Sequence, residues 1–86
     1  MTPPSAWSAS IVVRRPDAPS AERLLRALLP ESTREVPRAR TKVSVRDATR
    51  VVIEVETTDT GALRAAMNTF LGWVQLALAT EDAART

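Results

Sequence analysis

Residues 59–80, DTGALRAAMNTFLGWVQLALAT, constrain the fold most, because they form one long helical segment with apolar residues on two sides. On a helical wheel, where successive residues are rotated by about 100°, one set of large apolar side chains lies within a narrow arc. We call this arc the core stripe, and it consists of Leu63, Met67, Phe70, Val74 and Leu78, with Leu71 at its edge. The spacing predicts a helix that packs on the protein's own core.

A second set of residues on this helix lies about 120° away from the core stripe. This second stripe consists of Ala62, Ala65, Thr69, Trp73, Leu76 and Thr80. Small residues let another helix approach closely, and tryptophan is a frequent anchor of protein interfaces. Either the other helix of the same chain covers the second stripe, or another protein does. Arg64 and Asn68, one turn apart on the polar side, are either solvated or hydrogen-bonded to the same partner.

The rest of the chain predicts four shorter elements. Residues 8–13 are rich in β-branched side chains, and residues 41–46 and 50–57 alternate apolar with polar side chains, so all three predict strands. A helix is predicted from the apolar positions Ala21, Leu24, Leu25 and Leu28, and it ends before Pro30. The order β-α-β-β-α favours an α+β fold, with a three-stranded antiparallel sheet and two helices packed on one face.

The chain has 86 residues, so we expect residues 1–86 to form a single domain, with an ordered core over about 8–80. A chain this small buries only about 60–65% of its unfolded surface and needs additional stabilisation. Cysteine and histidine are absent, which removes disulfides and the commonest metal ligands and general base. A partner chain is the remaining source of stabilisation. A first helix of ten to twelve residues cannot cover both the sheet and a two-sided long helix, so we expect apolar surface to remain for that partner.

Basic residues concentrate in the segment after the first helix and in the second strand, although the net charge of the chain is only +2. They are Arg34, Arg38, Arg40, Lys42 and Arg46. Such a basic strip either contacts RNA phosphates without reading bases or forms a solvated segment that protects a strand edge. No aromatic residue accompanies it for base stacking, which argues against a free-standing single-strand binder.

No candidate residue set supports catalysis. Asp59 is expected to cap the long helix, and Glu54 and Glu56 to pair with Lys42 and Arg46 across strands. There is no phosphate-binding glycine loop and no nucleophile with a base, so we expect a non-enzyme without cofactor or metal. No membrane span or signal peptide is recognisable, and we expect a cytoplasmic protein.

Several segments together resemble the Pcc family, the small subunit of the KEOPS complex. They are LLPE at 28–31, RARTKVSV at 38–45 and DTGALRAAMNTFLGWVQLAL at 59–78. The family's helix begins with an Asp-x-x-x-Leu-Arg-Ala-x-x-Asn motif, and the matching residues here are Asp59, Leu63, Arg64, Ala65 and Asn68. Gly72 departs from the family pattern, in which a longer polar residue is typical.

The resemblance implies a non-catalytic, dimerising scaffold. Members of the family form homodimers and bind the threonylcarbamoyl transferase subunit of the complex through their helices. The complex forms threonylcarbamoyladenosine at position 37 of tRNAs, and the small subunit assists tRNA binding. The residues suggest a different function as the alternative, namely a free-standing RNA-binding module that uses the basic strip at 34–46.

Overall fold

The computed structural model describes residues 7–32 and 39–85. Along the chain, the elements are β1 (Trp7–Arg14), α1 (Ala18–Ser32), β2 (Ala39–Arg46), β3 (Arg50–Thr57) and α2 (Thr60–Arg85). The order β-α-β-β-α and the α+β class predicted from the sequence are confirmed.

The three strands form one antiparallel sheet in the order β1-β3-β2. Ile53 of the central strand lies between Ile11 of β1 and Val43 of β2. Because side chains alternate between the two faces of a sheet, the odd-numbered residues of all three strands share one face. The even-numbered residues share the opposite face, which we call the open face because neither helix covers it.

The hydrophobic core lies between the odd-numbered face of the sheet and the two helices. Its buried members are Ala21, Leu24, Leu28, Val43, Val51, Ile53, Val55, Ala66, Phe70 and Val74. Both helices therefore pack on one face of the sheet, as the sequence predicts. Burying these side chains removes apolar surface from water, which is the main term that stabilises a domain of this size.

The core-facing side of α2 is turned slightly from the predicted core stripe toward the second stripe. Phe70 and Val74 are buried as expected, whereas Leu71 at the edge of the stripe is 44% exposed. Ala66, which lies between the two stripes, is 3% exposed. Because α1 packs beside α2 as well as on the sheet, α2 buries the arc that faces both neighbours.

Side-chain caps begin both helices. The Ser20 backbone N–H donates to the Asp17 carboxylate at 2.8 Å, and the Gly61 N–H donates to the Asp59 carboxylate at 2.8 Å. Each carboxylate satisfies a backbone donor that the first turn of a helix leaves unpaired. The predicted capping role of Asp59 is therefore confirmed.

The predicted end of the first helix before Pro30 is wrong, because α1 includes Pro30 and ends at Ser32. Proline lacks the N–H that would bond to a carbonyl one turn earlier, yet in a final turn this removes a single bond. The buried Leu28 anchors this part of α1 in the core, and the Ser32 hydroxyl donates to the Leu29 carbonyl at 2.7 Å. The packing of Leu28 in the core therefore outweighs the tendency of Pro30 to end the helix.

The predicted bounds 50–57 match β3, whereas β1, β2 and α2 are longer than predicted. β1 and β2 extend until Trp7 and Ala39 both pair with Thr57, so the central strand sets the length of its neighbours. The structure continues α2 beyond position 80 to Arg85. Glu81 accounts for part of this extension, since it forms ion pairs with two arginines.

Candidate protein-binding groove

An apolar groove of about 650 Å³ runs between α1 and α2 on the outer surface of the helical layer. From α1 it is lined by Arg23, Leu24, Ala27 and Glu31, and from α2 by Trp73, Leu76, Ala77, Thr80, Glu81 and Ala84. Its floor is mostly alanine, leucine and tryptophan. A groove of this kind can accept the apolar face of an amphipathic helix.

The second stripe forms the α2 side of this groove and the surface beyond it. Leu76 is 57% exposed, and Trp73 is half-buried with part of its ring packed on the core. Ala65, Thr69 and Thr80 are exposed and Ala62 is half-buried. The helix α1 therefore covers the second stripe only in part, and apolar surface remains.

Arg64 and Asn68 do not belong to the groove. Both are exposed on α2, and the helical rotation places them about 120° from the centre of the second stripe. Arg64 and Asn68 therefore lie on the polar side of α2, as the helical spacing predicts, and their contact with the partner of the second stripe stays a prediction.

A cluster of charges closes the groove where the start of α1 meets the end of α2. Arg15 donates to one carboxylate oxygen of Glu81 at 2.8 Å, and Arg23 donates to the other at 3.0 Å. The Arg15 and Glu81 side chains are each only 15% exposed, whereas Arg23 is 56% exposed. Low exposure reduces screening by water and salt, so the Arg15–Glu81 pair is stronger than a typical surface pair.

Sequence reasoning missed this cluster, although a signal for it exists. Glu81 continues the helical spacing of the core stripe, since it follows Leu78 by three residues and Val74 by seven. An acidic residue at an apolar position of a helix predicts a partly buried charge, which needs a cationic partner. The partners come from elsewhere in the chain, and only the tertiary structure identifies them.

The open face of the sheet holds what the structure describes of the basic strip. Arg40, Lys42 and Arg46 lie on it at the β2 edge and are exposed. The Arg46 guanidinium donates to Glu54 at 2.7 Å, and the register places Lys42 opposite Glu54. Arg34 and Arg38 lie outside the described residues. Part of the cationic charge predicted for RNA contact is thus paired with the sheet's own carboxylate.

On the β1 and β3 side of the open face, one apolar row lies between a row of arginines and a row of serine and glutamate. Val12 is 53% exposed beside Val52, which is 7% exposed. Arg14 and Arg50 lie opposite each other in the next row of this face.

No group of acidic residues among positions 7–32 and 39–85 is arranged to hold a metal ion. None of the helices in these segments is long and apolar enough to cross a membrane.

Two comparisons relate the sequence of this chain to known proteins. The family described as transcription factor Pcc1 matches residues 8–82. The KEOPS complex subunit Pcc1 of Pyrococcus abyssi (strain GE5 / Orsay) is 33% identical over 76 residues, covering 87% of this chain and 92% of that protein. The chain belongs to the Pcc1 family.

Membership of the Pcc1 family confirms the resemblance drawn from residues 28–31, 38–45 and 59–78. The match covers β1 through most of α2, so it includes both sides of the groove and the cap residue Asp59. It also includes Glu81. Every described residue that lines the groove, apart from Ala84, thus falls within the part of the chain that the Pcc1 family defines.

Proposed function

We propose that this chain is a non-catalytic scaffold subunit of a KEOPS complex, which forms threonylcarbamoyladenosine at position 37 of tRNAs. Membership of the Pcc1 family and the named KEOPS relative support this proposal. The observation that carries it is the partly uncovered groove between α1 and α2, where Leu76 is 57% exposed beside Trp73. A surface of this kind is typical of a subunit that binds another protein.

The partner that we assign to the groove is the helical part of the threonylcarbamoyl transferase subunit. Ala27, Ala77 and Ala84 leave room for the backbone of an incoming helix, and Trp73 and Leu76 offer large side chains to contact. Complete burial of a leucine contributes about 1.5–3 kcal/mol, so covering the exposed part of Leu76 contributes about 1 kcal/mol. Large side chains near the centre of an interface supply most of its binding free energy.

Co-purification with the transferase subunit tests this assignment. Leu76→Glu places a charge at the exposed side of the groove, and Trp73→Glu places one at its centre. We expect each variant to lose co-purification, with the circular dichroism spectrum of Leu76→Glu unchanged. Gln75→Glu is the matched control, because Gln75 is an exposed neighbour on the opposite flank of α2. Retained binding by both groove variants would contradict the proposal.

We assign the homodimer contact to the open face of the sheet, on its β1 and β3 side. Val12 is an exposed apolar residue next to the centre of this face. Arg14 and Arg50 lie on one side of the Val12–Val52 row, and Glu54 lies on the other. A second copy turned by a two-fold rotation about that row would bring arginines against glutamates, and a two-fold interface is the commonest in homodimers.

Sedimentation of the isolated chain tests the dimer. We expect the unmodified chain to sediment as a dimer and Val12→Glu to sediment as a monomer. Ser8→Glu, at the end of the same face, serves as the control and should leave the dimer intact. A monomeric unmodified chain at high concentration would remove the dimer from the proposal.

We assign tRNA contact within the complex to the basic residues 34–46. Arg40 and Lys42 at the β2 edge are exposed on the side of the open face away from Val12. Replacing both with glutamine should weaken tRNA binding by the assembled complex. A plot of log affinity against log salt concentration should become less steep by about one unit for each phosphate that loses its cationic partner. Salt-sensitive tRNA binding by the isolated chain would instead favour the free-standing RNA-binding alternative.

A further inference from the structure

The charge cluster at the end of the groove connects three separate parts of the chain. Arg15 belongs to the segment after β1, Arg23 belongs to α1, and Glu81 belongs to α2. The Glu81 carboxylate accepts from both guanidinium groups, one at each oxygen. Arg23 also donates to the Ser20 hydroxyl at 3.1 Å, which orients its guanidinium. A single carboxylate therefore ties the end of α2 to the start of α1 and to the sheet.

The end of α2 needs such a contact because it extends past the sheet. The helix has 26 residues, and the central strand beneath it has 8. At about 1.5 Å per helical residue and about 3.3 Å per strand residue, α2 is roughly 13 Å longer than β3. Since α2 starts directly after β3 and runs back along it, the excess length lies at its C-terminal end.

This overhanging end carries half of the groove. Ala77, Thr80 and Ala84 line the groove from the last three turns of α2. Ala77 still packs on the core, whereas Thr80 and Ala84 are exposed, so the position of the last turns of α2 relative to α1 depends on contacts such as those of Glu81. One such contact is the ion pair between Arg23 of α1 and Glu81 of α2, and Arg15 supports it by binding the other oxygen of Glu81.

We propose that Glu81 is a positioning residue for the partner helix, because its ion pairs with Arg23 of α1 and with Arg15 just before α1 hold the two helices at the separation that the groove requires. The proposal rests on the proposed function, in which the groove binds the transferase subunit. Glu81 lies at the end of the groove, but its side chain is only 15% exposed and both carboxylate oxygens accept from arginines, so its main effect on the partner is indirect. Loss of its charge lets the end of α2 move and lowers the population of the binding-competent groove.

The test measures the affinity of the transferase subunit for purified chains at a temperature where all of them are fully folded. Glu81→Gln keeps the size of the side chain and removes its charge, and we expect the affinity to fall about tenfold, in line with the loss of charge-assisted bonds. Glu22→Gln is the matched control. It removes an exposed pair with Arg26 at 3.7 Å on α1 and should leave the affinity unchanged.

Combining Glu81→Gln with Arg23→Gln separates positioning from direct contact. If Arg23 acts through Glu81, the double variant binds as weakly as Glu81→Gln alone. Additive losses would overturn the proposal, because they would mean that Arg23 binds the partner directly. Unchanged affinity of Glu81→Gln would also overturn it, whether or not the melting temperature falls. If Trp73→Glu and Leu76→Glu also leave the affinity unchanged, the proposed function fails as well; if they abolish binding, only the role of Glu81 fails.

Discussion

Gly72 in the interior of α2 provides a sharp test of the packing described above. A Cβ atom built at this position has no neighbour within 4 Å apart from the adjacent residues and the backbone of its own helix, and the residue is exposed. Its backbone is helical, with no positive φ. The chain by itself therefore offers no steric or conformational reason for glycine at this position.

The expected effect of Gly72→Ala follows from helix propensity alone. Glycine in a helix interior is about 0.8–1 kcal/mol less favourable than alanine, because it loses more backbone entropy on folding. No clash opposes this gain, since the added methyl group projects into open space. For a domain of 60–100 residues, a gain of about 1 kcal/mol raises the melting temperature by roughly 4–8 °C.

Thermal unfolding followed by circular dichroism measures this shift at a fixed protein concentration, because any self-association makes the midpoint concentration-dependent. Ala79→Gly is the matched control, as Ala79 is a surface-accessible residue of the same helix. It should lower the melting temperature by a similar amount. An unchanged or lower midpoint for Gly72→Ala, together with the expected fall for Ala79→Gly, would refute the reasoning.

The same variant also reports on the partner. Gly72 differs from the family pattern, in which a longer polar residue is typical. Close approach of another backbone is one reason for a glycine in the middle of a helix. If the partner packs there, Gly72→Ala binds the transferase subunit more weakly while being more stable alone. Equal affinity would place Gly72 outside the interface.

Three further predictions concern the stability of the chain. Asp59→Ala removes the cap of α2 and should lower the free energy of unfolding by about 1 kcal/mol, measured by urea denaturation. Phe70→Ala leaves a cavity beneath α2, where the side chain is 2% exposed, and should lower it by about 3–5 kcal/mol in the same assay. Leu71→Ser, one residue further on at a site that is 44% exposed, should lower it by only about 1–2 kcal/mol, from the buried part of the leucine and the difference in helix propensity.

Comparison of these three variants checks the orientation of α2. A loss at Leu71→Ser as large as that at Phe70→Ala would mean that the core-facing side of α2 is assigned wrongly. A loss below about 0.5 kcal/mol at Asp59→Ala would mean that the Asp59 carboxylate bond to the Gly61 N–H contributes nothing to the helix start.

Much of the architecture could be predicted from the sequence because it depends on local periodicity. A period of two in residues 41–46 and 50–57 identified strands with one buried face. A period of 3.6 identified the long helix and put Phe70 and Val74 in the core. The caps were also predictable, since aspartate before a helix satisfies donors only two or three residues away.

Element ends were less predictable, because distant contacts set them. Pro30 favours an end to α1, but burial of Leu28 keeps the helix intact around it. The strands β1 and β2 reach Trp7 and Ala39 because β3 offers partners along its whole length. Such contacts contribute more to the free energy of folding than the conformational preference of a single residue does.

The candidate site, like the fold, could be predicted from the sequence only in part. The sequence by itself determined that α2 carries more apolar surface than one face can bury, and it placed Trp73 and Leu76 in that excess. Only the tertiary structure decided that α1 lies beside Trp73 and leaves Leu76 exposed, and that Glu81 joins the two helices. The physical reason is that periodicity defines the faces of an element from its own residues, whereas the distance between two helices depends on side chains far apart in the chain.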